Sequence, residues 1–138
     1  MKKFDNSKRG TLLYTLCHWY AFNITAIKLH HWRPRYLLHD LDKPFLMLWY
    51  RNDYTKVRNF HKEHNRHHLR YKGKRGFDWW AMMIDWECSH LTKTEKPWRA
   101  AQTMEIQIKN YPKMEKEIRE HITPLLIETG LLKEEKGV

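Results

Sequence analysis

Apolar residues in this chain recur at helical spacing throughout, and no segment reads as a strand: there is no convincing two-residue hairpin turn and no sustained apolar/polar alternation. Sheet-based folds are thereby excluded and an all-α chain is predicted. With 138 residues, one hydrophobic core can close without disulfide staples, so a single-domain helical bundle of five to six helices over residues 1–138 is expected. A hydrophobic fraction of 41%, an aromatic fraction of 14% and only 5 Gly and 5 Pro lie far from the composition of disordered chains.

Caps and prolines divide the bundle. A first helix is predicted from about Ser7 to His30, and Pro34 starts a short second one through Tyr36, Leu37 and Leu38. Pro44 opens the apolar run Phe45 to Tyr50, and Asp53 caps a long third helix to about Tyr71. Lys72-Gly73-Lys74-Arg75-Gly76 then breaks the pattern as a basic loop. Asp78 restarts a helix, Trp79 to about His90, and Thr94 with Pro97 marks the start of another reaching Asn110. Pro112 opens the last helix, with a kink expected at Pro124 and an end at Gly130, before a tail over 131–138 that frays from Lys133.

Charge is distributed unevenly. Up to Gly76 there are 17 basic and 5 acidic residues, a balance of +12, together with eight of the ten histidines; beyond it, 9 basic and 11 acidic residues give −2. A positive field confined to one region attracts phosphates, whether on nucleotides, nucleic acid or acidic lipid. Cys17 and Cys88 form no CxxC pair, which excludes a cysteine zinc site and points to a reducing cytoplasm. The uncharged stretch Thr11 to Ile27 behind Lys2, Lys3, Lys8 and Arg9 superficially resembles a signal peptide or membrane span. It contains His18, Asn23 and three threonines, falls short of the roughly 20 apolar residues of a span, and precedes no small-residue cleavage site. A buried amphipathic helix and no membrane association are expected.

Several side chains carry the elements of a metal site. His39-Asp40-Leu41-Asp42-Lys43 places two ligand-forming residues side by side at a predicted helix end, where a capping Asp beside a surface His is the alternative. His61, His64 and His68 are spaced i, i+3, i+7 on one stripe of the third helix with Val57 and Tyr71, Asn65 lies beside them, and His67 points away. Clustered imidazoles are most easily buried when neutral nitrogens share a cation. The competing reading is a phosphate-binding face with Arg58, Lys62, Arg66 and Arg70. Asp85 lies in the apolar turn Trp79 to Trp86 and needs a cationic partner if buried, and His18 lies between Cys17 and Trp19, where a core histidine bonded to a carbonyl is the alternative.

The ordered set His18, His39-Asp40, His61, His67-His68, Asp85 resembles the HD superfamily of metal-dependent phosphohydrolases, whose ligands are an early helical His, a His-Asp pair and a late Asp on a helical bundle. HDLDK is similar to the HD-x-x-K segment of the HD-GYP branch, although the Gly-Tyr-Pro segment of that branch is absent after His68. A group of short phage and bacterial HD-like proteins, with HD-L-x-K, H-x3-N-x-HH and a later D-W, is more similar still, over roughly residues 10 to 90.

The resemblance implies an HD-like domain in which metal-site motifs span 18–86 and residues 94–130 form a helical C-terminal part. It implies metal ligation by His18, His39, Asp40 and Asp85, with Asp40 bridging to a second cation held by His61 and one or both of His67 and His68. Two such ions polarise a phosphoryl group and acidify a water. Asp40 and Lys43 would be catalytic, and Lys43, Arg66, Arg70, Lys72, Lys74 and Arg75 would bind phosphate. One or two divalent transition ions, Mn, Fe, Co, Ni or Zn, suit His/Asp ligation. The expected activity is hydrolysis of a nucleotide or related phosphate ester, with Trp32 or Tyr71 available to stack on a base. The alternatives are a non-catalytic basic helical protein that binds nucleic acid, and a metal-bound HD-like inhibitor or interaction module.

Overall fold

In the computed structural model, which describes residues 3–5, 11–51, 53–64, 68–69 and 74–132, the chain is an all-helical bundle. Its helices are α1 (Leu12–Lys28), α2 (Lys43–Trp49), α3 (Tyr54–His64), α4 (Gly76–Thr92), α5 (Ala100–Asn110) and α6 (Glu115–Glu128), with 3₁₀ turns at Pro34–Leu38 and Pro112–Met114. No strand occurs among the described residues, and no helix there is long and apolar enough to cross a membrane. The expected tail lies mostly outside the described residues.

Helix α4 organises the bundle. Every residue from Met82 to Ser89 is buried, so this helix is covered on all sides. It packs against α1 on one side and against α5 and α6 on the other. Phe22 and Ala26 of α1, Met104 and Ile108 of α5, and Ile118, Ile122 and Leu126 of α6 close the core around its Met82, Met83 and Ile84. The all-round cover forces two acids on α4 to find internal partners. Asp85 finds them toward α1, whereas the carboxylate of Glu87, on the other side, binds the Arg99 side chain and accepts from the Ala100 amide at 3.3 Å.

Local chemistry explains the boundaries. Thr11 Oγ1 caps α1 by accepting from the Tyr14 amide, and Asp53 caps α3 by accepting from the Lys56 amide. Asp78 reaches back to the Arg75 amide at 2.8 Å and starts α4. The expected α5 start at Thr94 is displaced to Ala100, because the Thr94 amide instead donates to the carbonyl of Phe4, whose own amide donates to Thr92. The largest departure is the third helix, described over Tyr54–His64: it does not run unbroken to Tyr71, because His68 and Leu69 are not helical. His68 and Leu69 form a non-helical turn that buries Leu69 in the core and sets the His68 ring against His61. Pro124 lies exposed inside α6, which continues through it to Glu128, and Gly130 follows in the left-handed region at φ 77°.

Ile122→Ala removes fully buried volume between α6 and α4 and should lower unfolding stability by about 2–5 kcal/mol. Leu48→Ala, at a residue 80% exposed, should change it by less than about 0.5 kcal/mol. Denaturant titration with matched slopes checks both, and a loss confined to a separate C-terminal transition would contradict one cooperative core.

Candidate metal centre

The centre lies between α1, α4 and the segment that joins α1 to α2. Tyr14, His18 and Phe22 follow each other at four-residue spacing, so they share one face of α1. The connecting segment is fastened to that helix by side chains: Trp19 Nε1 donates to the Leu37 carbonyl at 2.8 Å, and Asn23 Nδ2 to the Tyr36 carbonyl at 3.1 Å. Trp32 Nε1 donates in turn to Asn23 Oδ1 at 2.9 Å, so Trp32 is used as a strut. The chain then delivers His39, whose ring stacks on Phe22 at 3.7 Å between centroids. Adjacent residues of a regular helix diverge by about 100°. Asp40 instead adopts φ 58°, a left-handed conformation that Asp tolerates better than most residues, and it is brought beside its neighbour.

Four buried side chains converge there. His18 Nε2 lies 2.8 Å from Asp85 Oδ1, 3.2 Å from His39 Nε2 and 3.3 Å from Asp40 Oδ2. His39 Nε2 lies 3.3 Å from both Asp40 Oδ2 and Asp85 Oδ1. Ligand atoms about 2.0–2.2 Å from one ion stand about 2.8–3.6 Å from each other in octahedral or tetrahedral arrangements, so these spacings are those of a ligand shell. Hydrogen bonding alone accounts for them poorly, because one Nε2 carries at most one proton yet faces three ligand atoms. A shared cation satisfies all four. His18, His39, Asp40 and Asp85 therefore form a buried group placed to hold a metal ion.

A second group, Asp40, His61 and His68, shares one residue with the first. His61 Nε2 is 2.9 Å from Asp40 Oδ1, and the rings of His61 and His68 meet edge to face at 4.8 Å. The other nitrogen of His61, Nδ1, donates to Asp42 Oδ2 at 2.8 Å, since a carboxylate only accepts, and this contact directs Nε2 at Asp40. Asp42 thus touches the centre through His61; no role is expected for it from the sequence, although its position inside HDLDK is the available signal. Lys43 Nζ approaches Asp40 Oδ2 at 3.3 Å.

The electrostatics are those of a strongly coupled site. Burial pushes the carboxyls of Asp40 and Asp85 upward, but His39, Lys43 and His61 around Asp40, and His18 and His39 around Asp85, hold both well below the usual carboxylate range. Burial likewise opposes charge on His18 and His61. Tyr14, Cys88, Asp40 and Asp85 outweigh it for His18, and Asp40 and Asp42 for His61, so both are raised, His18 strongly.

The remaining expected residues divide into three groups. His64 is exposed, stacked on Phe60 at 4.0 Å with Nδ1 on the Phe60 carbonyl, so the supposed stripe with His61 and His68 is broken: His68 reaches the centre from the turn beyond α3. Lys74 donates to the His68 carbonyl and lies over the Trp79 ring, and Arg75 is the exposed residue preceding α4. His67, Arg66, Arg70, Lys72, Asn65 and Tyr71 lie outside the described residues.

The pH dependence of stability follows from these shifts. In metal-stripped protein, raised His18 and His61 contribute stability that is complete below about pH 6.5 and lost as pH rises through their folded values. Depressed Asp40 and Asp85 contribute stability present above about pH 4 and lost as pH falls through theirs. Stripped protein should therefore melt highest between those limits and lose stability toward alkaline pH. Added Mn²⁺ or Ni²⁺ should reverse the alkaline loss, because neutral imidazoles are the ligands. Thermal melts with and without chelator check this, and superimposable profiles would count against a cation in this cluster.

No protein-family model matches the chain, and neither a curated protein nor a solved structure matches it. What the centre can do follows from its own atoms.

Proposed function

We propose that this chain is an HD-like metal-dependent phosphohydrolase that acts on a nucleotide or related phosphate ester. The observation that carries this reading is the pair of ligand groups joined at Asp40, whose two oxygens face different partners: Oδ2 faces His18 and His39, and Oδ1 faces His61. Divalent ions held there would polarise a phosphoryl oxygen and acidify a water, the chemistry that hydrolysis of a phosphate ester needs near neutral pH.

In this reading His18, His39, Asp40 and Asp85 hold one ion, and Asp40, His61 and His68 the other. Asp42 fixes the tautomer of His61. Lys43, beside Asp40 and lining the adjoining cavity, is placed to neutralise a phosphate oxygen. Mixed imidazole and carboxylate donors suit Mn, Fe, Co, Ni or Zn.

Protein purified without chelator or metal-affinity resin should contain at least one transition ion per chain and hydrolyse members of a nucleotide panel. His39→Ala should lose metal, activity and melting temperature together, whereas His64→Ala should keep all three, its ring lying on Phe60 away from the ligands. Asp42→Asn should retain the fold and weaken metal affinity about 10–100-fold. Wild-type metal content in His39→Ala would show that the ligand set is wrong. A metal-free protein with a steep salt dependence of nucleic-acid affinity would favour the binding-protein alternative.

A further inference from the structure

Beside the centre lies a cavity of about 70 Å³ that His61, His68 and Tyr14 share with five cationic side chains: Lys43, Arg58, Lys62, Lys93 and Lys96. No carboxylate lines it among the described residues. The cations come from three parts of the chain: Lys43 opens α2, Arg58 and Lys62 stand four residues apart on α3, and Lys93 and Lys96 follow α4. Lys93 keeps its charge in this setting: burial opposes it, and Tyr14 and Asp85 nearby raise its pKa. Lys43 meets Asp40 at 3.3 Å and Asp85 lies near Lys93, yet the wall of the cavity itself carries five cationic side chains and no carboxylate among the described residues, so it favours a ligand with several negative charges along its length.

The lining also restricts what else can be recognised. Among the described residues Tyr14 is its one aromatic carbocycle, and that ring is already stacked 5.6 Å from His18 and in T-shaped contact with Phe4. With Lys43 Nζ also over it, the Tyr14 ring is not open to stack on a nucleobase. The cavity is also several times smaller than the roughly 300–1,000 Å³ of pockets that enclose a drug-sized ligand, so a sugar or base would lie outside it.

We infer that the site takes a phosphoanhydride chain of at least two phosphoryl groups, as in pyrophosphate, tripolyphosphate or the end of a nucleoside polyphosphate, and reads the chain rather than the group attached to it. This rests on the phosphohydrolase reading for its chemistry, but the recognition belongs to the lysines and arginine. The terminal phosphoryl group lies at the His61 and Lys43 end, and the next groups lie along Arg58, Lys62, Lys93 and Lys96. Hydrolysis there forms one P–O bond to the oxygen of water and breaks one P–O bond of the anhydride. The products are orthophosphate, a chain one phosphoryl group shorter and the proton lost by water.

The test separates recognition from catalysis. Full-length protein treated with chelator is titrated calorimetrically with orthophosphate, pyrophosphate and tripolyphosphate in metal-free buffer. Affinity should rise by about tenfold or more from orthophosphate to tripolyphosphate. Lys62→Gln/Lys96→Gln should abolish most of that gain while leaving circular dichroism and the metal content of untreated protein unchanged; Arg58→Gln, at an exposed position, serves if the double variant does not fold. Equal affinity for the three ligands, an undiminished gain in the variants, or displacement of tripolyphosphate by duplex DNA at equal phosphate concentration would overturn the inference. Metal content and hydrolysis of a simple monoester are measured in parallel. A metal-loaded monoesterase without chain preference would overturn this inference alone, whereas chain preference in a protein that never holds metal would support it and overturn the phosphohydrolase reading.

Discussion

The contact on which this structure depends is between His18 on α1 and Asp85 on α4, two buried side chains with ligand atoms 2.8 Å apart in the interface of the bundle's principal helix pair. A buried carboxylate without a compensating charge is destabilising by several kcal/mol, and here two of them, Asp40 and Asp85, occupy the same small volume. The imidazoles answer that charge, and the helices are held where the imidazoles can do so. Asn23 and Trp19 fasten the segment before His39 to α1, and Phe22 supports the His39 ring from below. The apolar core on the far side of α4 has no such polar requirement, apart from Glu87, and supplies a rigid backing for the polar side.

The division between the two sides of α4 also explains how charge is used. Some of the positive residues before Gly76, such as Arg33, Arg35 and Arg51, are exposed and do not line the cavity. Lys43, Arg58 and Lys62 from that half meet Lys93 and Lys96 from the other at a single cavity. Lys74, from the basic loop, serves a different purpose: it donates to the His68 carbonyl and so holds the turn that carries His68.

Much of this was legible in the sequence, for a physical reason: a helix advertises itself through local periodicity and caps. The all-helical class and the helix restart at Asp78 could be read from neighbouring residues, whereas His18, His39, Asp40 and Asp85 are drawn into one ligand set only by the ordered resemblance to the HD phosphohydrolases. What could not be read depends on contacts between distant segments. The helical stripe of His61, His64 and His68 assumes an unbroken α3 to Tyr71, but His68 and Leu69 are non-helical and Leu69 is buried in the core, so His64 and His68 do not share one helix face. The contact of Asp42 with His61, nineteen positions on, has no local signature in the sequence. Lys93 and Lys96 became part of the cavity only because α4 returns the chain to the mouth of the centre.

The left-handed turn at Asp40 has a consequence for the order of events in the cell. No short segment of this chain holds more than two of the clustered ligands: one comes from α1, two from the turn before α2, one from α3, one from the turn beyond it and one from α4. A nascent chain thus presents only scattered weak donors, and a multidentate site exists only after α1 has docked on α4 and the strained turn has been locked between them. An ion held by these side chains would therefore be selected only after the segments have come together, when geometry is already set. Which metal occupies such a centre would then reflect the pool that the finished protein meets, so the same polypeptide made under different metal supply could mature into chemically different forms.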